Sequence, residues 1–277
     1  MNLKNLVILL LIVSWSSSSA QTVRIITYNI RYNDNKDDVN SWSNRKMHVC
    51  NLLRFHEPDI FGLQEAFYKQ LTDVSLQLPR YDHVGVGQMD GRVLGEYAPI
   101  FYDSRKFQLK KQGWFWLSET PNIPSRGWEA ASNHICTYVW LEDYDKRRSF
   151  WIFNTQLDQI SLEAQANSVK LIMQKIDSLN TKNDPVILMG DFNMTPDTKP
   201  IERLENVFFD SRKVTQEAPY GPVGTHSGFN IDNDLKKRLD YFFVQGKIEV
   251  KKYGVLTDSY DHRYPSDHLP VLIEVEL

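Results

Sequence analysis

The chain has 277 residues, 42% of them hydrophobic and 24% charged, with a formal net charge of −3. α/β sandwiches and barrels of about 200–250 residues commonly fold as one unit, and no Gly/Ser/Pro-rich linker, charge block or repeat divides this sequence. Lys and Arg fall in short groups such as Lys146-Arg147-Arg148 and Lys236-Lys237-Arg238, which read as solvated surface. They exclude the stable DNA-binding footprint of a dedicated duplex-binding protein, though not a nucleic-acid substrate.

Residues 1–20, MNLKNLVILLLIVSWSSSSA, combine Lys4, an apolar segment from Leu6 to Val13 and small residues before Gln21. This is the pattern of a secretory signal peptide, with cleavage expected after Ala20. The apolar segment is shorter than the roughly 20 residues of a membrane span, and no Cys near the cleavage point could accept lipid. The expectation is a secreted or periplasmic monomer whose single domain is 21–277, with no transmembrane anchor after processing. Cys50 and Cys136 could pair in an oxidising compartment, but two free buried thiols are the commoner arrangement.

VRIITYNI (23–30) has the β-branched character of a strand and ends in the polar cluster RYNDNKDD. A helix is predicted from Ser43 to about His56, where Val49, Leu52, Leu53 and Phe55 recur at near-helical spacing before Pro58. DIFGLQE (59–65) reads as a short buried strand with an acid at its end, and FYKQLTDVSLQLP as a second helix closed by Pro79. Between 82 and 157, DHVGVG, APIFYD, KFQLKKQGWFWL, HICTYVWLED and SFWIFNTQL are strand candidates separated by Gly- and Pro-bearing turns, which argues for antiparallel hairpins. Trp114 and Trp116 share one side of their strand at period two, as core or as a platform for a base or lipid. SLEAQANSVKLIMQKIDSLN (161–180) is the clearest helix, PVILMGDFN is a fully apolar strand running into Asp191 and Asn193, and RLDYFFV and PSDHLPVLIEVEL repeat that form.

Runs of strands with a few long helices between them predict an α/β fold of two sheets packed face to face, with helices outside. Asn29, Glu65, Asn154, Asp191, Asn193, Asp240 and Asp267-His268 all stand where an apolar run stops, and ligand sites gather at such strand ends. Scattered acids, amides and one His suit metal-assisted phosphoester hydrolysis. A hard divalent cation takes carboxylate oxygens, while the remaining groups orient water and neutralise phosphoryl charge. Taken singly, each residue is more often a cap or a turn. As an ordered set they point to a site.

TYNIRYN, FGLQEA, FNTQLD, MGDFNMTPD, RLDYFFV and YPSDHLPV, in that order, resemble the successive motifs of the endonuclease/exonuclease/phosphatase superfamily over nearly the whole of 21–277. The resemblance implies a four-layer αββα sandwich of two mixed sheets with the site at their shared upper edge. It implies Mg2+, with Mn2+ as the alternative cation, held by Glu65 with support from Asn29, and Asp267 beside it. Asp191 would orient or deprotonate the attacking water, Asn193 would hydrogen-bond a phosphate oxygen, and His268 would contact the phosphoryl group with Asp240 on its other ring nitrogen. An acid behind His268 raises its pKa and fixes its orientation.

The departure lies in NTQLDQ (154–159), where the resembling family commonly has NTHLDH. Here Gln156 and Gln159 replace the histidines. Gln156 can donate an N–H to a phosphoryl oxygen but cannot be cationic, and charge-assisted hydrogen bonds are roughly twice as strong as neutral ones. One branch of that family uses a neutral Tyr there. The expected function is therefore a metal-dependent phosphoesterase acting on a phosphate-ester substrate, whether nucleic acid, lipid headgroup or sugar or inositol phosphate. The alternative is a catalytically impaired phosphate-ligand-binding pseudoenzyme of the same fold. Specificity is expected in loops 34–41, 88–96, 118–134 and 216–237.

Overall fold

The computed structural model describes residues 22–277, so the signal peptide expected at 1–20 lies outside the described residues. In chain order the first strands are β1 (Val23–Asn29), β2 (Ile60–Gln64), β3 (Tyr81–Val84), β4 (Ile100–Asp103), β5 (Phe107–Trp116) and β6 (Ile135–Asp143). They continue with β7 (Ser149–Gln156), β8 (Val186–Asp191), β9 (Phe209–Asp210), β10 (Asp240–Gln245), β11 (Glu249–Val255) and β12 (Val271–Glu276). Two six-stranded sheets result, in the orders β11-β12-β1-β2-β4-β3 and β5-β6-β7-β8-β10-β9. The helices are α1 (Trp42–His56), α2 (Tyr68–Gln77), α3 (Leu162–Leu179), α4 (Lys199–Glu205) and α5 (Ser211–Val214). Among the described residues no helix is long and apolar enough to cross a membrane.

Three apolar cores separate four layers. Ile25, Ile60, Ile152, Ile187 and Phe242 pack between the sheets. Ile26, Tyr28 and Phe61 point the other way, against Val49, Leu53 and Leu71 of α1 and α2. Phe153, Leu188 and Phe243 meet Val169, Ile172 and Ile201 of α3 and α4 on the outside of the second sheet. Central strands buried on both faces explain why their sequences are continuous apolar runs rather than alternating ones. Each fully buried Ile, Leu or Phe contributes about 1.5–3 kcal/mol.

Both sheets are mixed because β1–β2 and β7–β8 pair in parallel while their other neighbours are antiparallel. Helices α1 and α3 make the parallel crossovers. The Ser161 side chain caps α3 by accepting the Ala164 N–H at 3.1 Å, and Glu57, in the left-handed region, ends α1 before Pro58. Parallel pairing puts the ends of β1, β2, β7 and β8 at one edge of the sandwich. Gly190 permits this closeness: its φ is +143°, and a Cβ there would lie 1.9 Å from the Thr155 carbonyl oxygen.

Some expectations change. Strand β11 (EVKKYGV) is masked in the sequence by Lys251 and Lys252; it pairs with β12 on one side, and on the other the loop carrying Gln216 and Tyr220 covers the sheet edge, the Gln216 N–H donating to the Val250 carbonyl and the Tyr220 N–H to the Tyr253 carbonyl, each at 2.9 Å. Arg238 is not solvated surface but is buried and paired with Asp210 at 2.5 Å. Trp116 is buried and donates its indole N–H to the Gln88 carbonyl at 2.6 Å, whereas Trp114 is 37% exposed. Cys50 and Cys136 are free and buried in different cores.

Candidate active site

The parallel register delivers Asn29 beside Gln64 on one sheet and Gln156 beside Asp191 on the other, and antiparallel β10 sets Asp240 opposite Asp191. Just below this edge the sheets are tied by polar groups. Gln64 donates to the Asn154 Oδ1 at 2.7 Å, and the Asn154 amide donates to the carbonyls of Leu63 and Pro99, each at 2.9 Å. Asn154, grouped from sequence with the strand-end residues of the site, is therefore a fully buried clamp between the sheets. Strand alternation shows its side but not its depth.

Above the clamp runs a line of site residues. His268 Nδ1 lies 2.8 Å from Asp240 Oδ2, and its Nε2 lies 3.9 Å from Asp191 Oδ2. The Asn29 amide donates to Asp191 Oδ2 at 3.0 Å and to Glu65 Oε1 at 2.9 Å, so this one side chain bridges the two sheets. Gln156 donates its own N–H to Glu65 Oε1 at 2.9 Å. Asn193 donates to the Leu157 carbonyl at 2.8 Å, and its backbone N–H reaches Asp191 Oδ1 at 2.9 Å. Asp267 stands 4.0 Å from Arg31 Nε, and Glu65 Oε2 lies 3.8 Å from Arg31 Nη1. The eight residues to which the resemblance gives a role (Asn29, Glu65, Gln156, Asp191, Asn193, Asp240, Asp267 and His268) thus stand together at this edge. Glu65, Arg31 and Asn193 have φ of 59°, 56° and 51°, and such conformations cost about 1–3 kcal/mol each and cluster at functional sites.

Burial pushes the Asp191 carboxyl up to about 7, with His268 pulling it down and Asp240 pushing it up further. Burial disfavours charge on His268, but the carboxylates of Asp240 and Asp191 outweigh it and hold the imidazole well above its ordinary range. At 3.9 Å the two buried groups interact through charge rather than a hydrogen bond, with burial raising Asp191 toward neutrality and the carboxylates keeping His268 cationic.

A cavity of about 100 Å³ opens beside Glu65, Gln156 and Asn193, takes in Asp158 of the NTQLDQ stretch, and brings in groups that motif reading missed: Arg31, Glu96 and His134. His134 Nε2 lies 3.2 Å from Asp158 Oδ2, which also accepts the Ala131 N–H at 2.6 Å. Burial opposes ionisation of Asp158, yet the His134 contact and three backbone N–H groups hold its carboxyl well below the usual range. Burial, reinforced by the Glu65 charge, moves the Glu96 carboxyl up to about 7. His226 packs edge-on to His268 with ring centroids 5.1 Å apart, while His262 is exposed. None of these contacts leaves a signal in local sequence, because the partners lie on different loops.

Two face-to-face mixed sheets, with acids, amides and a buried acid–imidazole pair at their common edge, define a phosphoesterase sandwich. The sequence profile of the Endonuclease/Exonuclease/phosphatase family matches residues 26–268. The chain belongs to that family, whose members are hydrolases acting on phosphoester bonds and are generally dependent on divalent metals. A Bacteroides thetaiotaomicron family protein of known structure is 36% identical, with a TM-score of 0.90 over 93% of this chain and 98% of that one. A mannosyl-6-phosphatase from the same organism is also 36% identical, with a TM-score of 0.89 over 92% of this chain and 100% of that one. An uncharacterized protein of Acanthamoeba polyphaga mimivirus is 30% identical over 258 residues, 86% of this chain and 93% of the viral protein.

Proposed function

We propose that this protein is a secreted or periplasmic, Mg2+- or Mn2+-dependent phosphoesterase that releases phosphate from a phosphorylated sugar. The observation that carries the reading is the buried Asp240–His268–Asp191 line, since an imidazole 2.8 Å from one carboxylate and 3.9 Å from another places a cationic N–H donor beside a potential base at the cleft. The sugar phosphate is favoured by the similarity to a mannosyl-6-phosphatase along almost the whole chain.

In this reading Asp191 orients the attacking water and takes its proton, a role suited to a carboxyl that titrates near neutrality. His268, held by Asp240 in one orientation, presents a cationic N–H to the phosphoryl oxygens. Gln156 and Asn193 add neutral N–H groups. The donor set suits a hard cation in its chemistry: Glu65 and Asp267 are carboxylates that lie 3.8 and 4.0 Å from different nitrogens of the Arg31 guanidinium, and the Asn29 amide donates to Glu65 Oε1 at 2.9 Å. Glu65 and Asp267 would hold the ion with Asn29 in support. When bound, it supplies Lewis-acid neutralisation of the phosphoryl charge. Asp191, Asp240 and His268 also offer ligand atoms within 4.8 Å of one another; with Nδ1 of His268 held by Asp240, its Nε2 is the ring nitrogen left to face a ligand.

The test is phosphate release by the purified protein from a hexose 6-phosphate, alongside bis-p-nitrophenyl phosphate, with Mg2+, with Mn2+ and with chelator. Cation-dependent release from the sugar ester is expected. Turnover of the diester alone would remove the sugar assignment, and turnover of neither would remove the enzyme assignment.

A further inference from the structure

The cavity beside Glu65 is lined by three carboxyl groups, and two are fully occupied. Glu65 accepts N–H groups from Asn29, Gln156 and the Tyr32 backbone at 2.9, 2.9 and 3.2 Å. Asp158 accepts the backbone N–H groups of Ala131, Ile160 and Ser161 at 2.6, 2.9 and 2.6 Å. Glu96 is different: among the described residues its carboxyl makes no hydrogen bond or ion pair, although it is partly buried and faces the cavity.

Its backbone is firmly placed. The Tyr97 N–H donates to the Ala66 carbonyl at 2.9 Å, pinning the segment to the end of β2, and the Gln88 N–H donates to the Glu96 carbonyl at 3.0 Å. The Gln88 carbonyl in turn receives the Trp116 indole at 2.6 Å and the Asn133 amide at 3.1 Å. The loops that carry Glu96 and His134 are therefore fastened together at one carbonyl, as one wall of the cavity. A side chain on so fixed a base, with no partner in the protein, is pre-organised for a partner in the ligand.

We infer that Glu96 is a specificity-determining residue that accepts hydrogen bonds from hydroxyls on the leaving group, selecting phosphate esters of polyhydroxylated alcohols over esters without hydroxyls. The inference rests on the phosphoesterase reading of the site. The ionised form of this carboxyl only accepts and repels a neighbouring phosphate, so its favourable partner is a donor on the rest of the ligand; a sugar hydroxyl is such a donor, and it can also accept from the protonated form that burial favours. Ser132 and Gln159 on the same cavity wall are neutral and polar, which suits a polyol better than an acyl chain. Discrimination of this kind is steep, because loss of the ligand hydroxyl leaves a buried polar group unpaired.

The experiment compares wild type, Glu96→Ala and Glu96→Gln on a hexose 6-phosphate and on phenyl phosphate, whose leaving group carries no other hydroxyl. The ratio of the two kcat/KM values should fall about tenfold or more in Glu96→Ala, chiefly through KM for the sugar ester, with partial recovery in Glu96→Gln, which keeps an acceptor oxygen. Equal losses on both substrates would mean that Glu96 serves the phosphoryl group, and a weakened Mg2+ affinity by calorimetry would make it a metal ligand; either overturns the inference, as does an unchanged ratio. If wild type hydrolyses neither ester, the phosphoesterase reading fails on its own. Calorimetric affinity for the hexose 6-phosphate then decides: lower in Glu96→Ala supports the hydroxyl contact, equal in both proteins overturns it.

Discussion

Replacing Asp240 with Asn tests the buried pair on which the chemistry turns. Asp240 is fully buried, and its Oδ2 lies 2.8 Å from His268 Nδ1; Asn keeps the shape and removes the charge. A hydrogen bond involving a charged group contributes about 1.5–3 kcal/mol, so kcat/KM should fall about ten- to a hundredfold at about 1.4 kcal/mol per tenfold. The pH profile should change in a defined direction. Activity in wild type is expected to rise through about 7 as Asp191 ionises and to fall at higher pH as His268 loses its proton. Because Asp240 raises the His268 pKa, Asp240→Asn should move the alkaline limb to lower pH. The stability change has the same origin. A His whose folded pKa is raised contributes stability that is fully present below its unfolded pKa and is lost as pH rises through the folded value, and the variant should lack most of that contribution. Initial rates of phosphate release across pH, with thermal unfolding as the folding control, make the measurement. A folded variant with an unmoved alkaline limb and a rate within about twofold of wild type would refute the role given to the pair.

Glu65→Gln should lower Mg2+ affinity by about tenfold or more in calorimetry, and unchanged affinity would remove Glu65 from the metal site. Gln156→His introduces a group that can be cationic while still donating toward Glu65 and the phosphoryl position, and should raise turnover of a general substrate by about tenfold. A neutral or lower rate in the folded, metal-loaded variant would show that the amide bond to Glu65 at 2.9 Å matters more than charge. Gly190→Ala forces a Cβ to within 1.9 Å of the Thr155 carbonyl oxygen at a φ of +143°, and should cost at least about 2 kcal/mol, or about 4–8 °C in Tm; a drop below about 1 °C would contradict the close approach of β7 and β8.

Much of the site was legible because chemistry stands at the ends of apolar runs. Glu65 after IFGLQ and Asp191 after VILMG stand where strands buried on both faces end, so the apolar run itself marks each acid. The Asp240–His268 pair followed from the motif resemblance, and its 2.8 Å separation matches that expectation. What escaped reading depends on depth or on loop contacts. Asn154 alternates onto the cleft side yet ends as a clamp beneath the site, because Gln64 of the facing sheet takes its oxygen. Glu96 lies in a loop without periodicity, and His134 finds Asp158 across a gap of 24 residues. Strand β11 was hidden by its lysines, and Arg238, in a run of basic residues, is buried by a partner 28 positions away. Local pattern records which way a side chain faces; it does not record what the other sheet or another loop brings to meet it.

The central claim is that water, positioned by Asp191 and opposed by His268, attacks phosphorus. Hydrolysis of a hexose 6-phosphate in 18O-enriched water, with Mg2+ present and mass analysis of both products, tests it most directly. Inorganic phosphate should carry one solvent oxygen and the sugar none, with release abolished by chelator. Label in the sugar would place the attack on carbon, and unlabelled, unhydrolysed ester from folded, metal-loaded protein would leave the site a phosphate-binding cleft without the chemistry assigned to it.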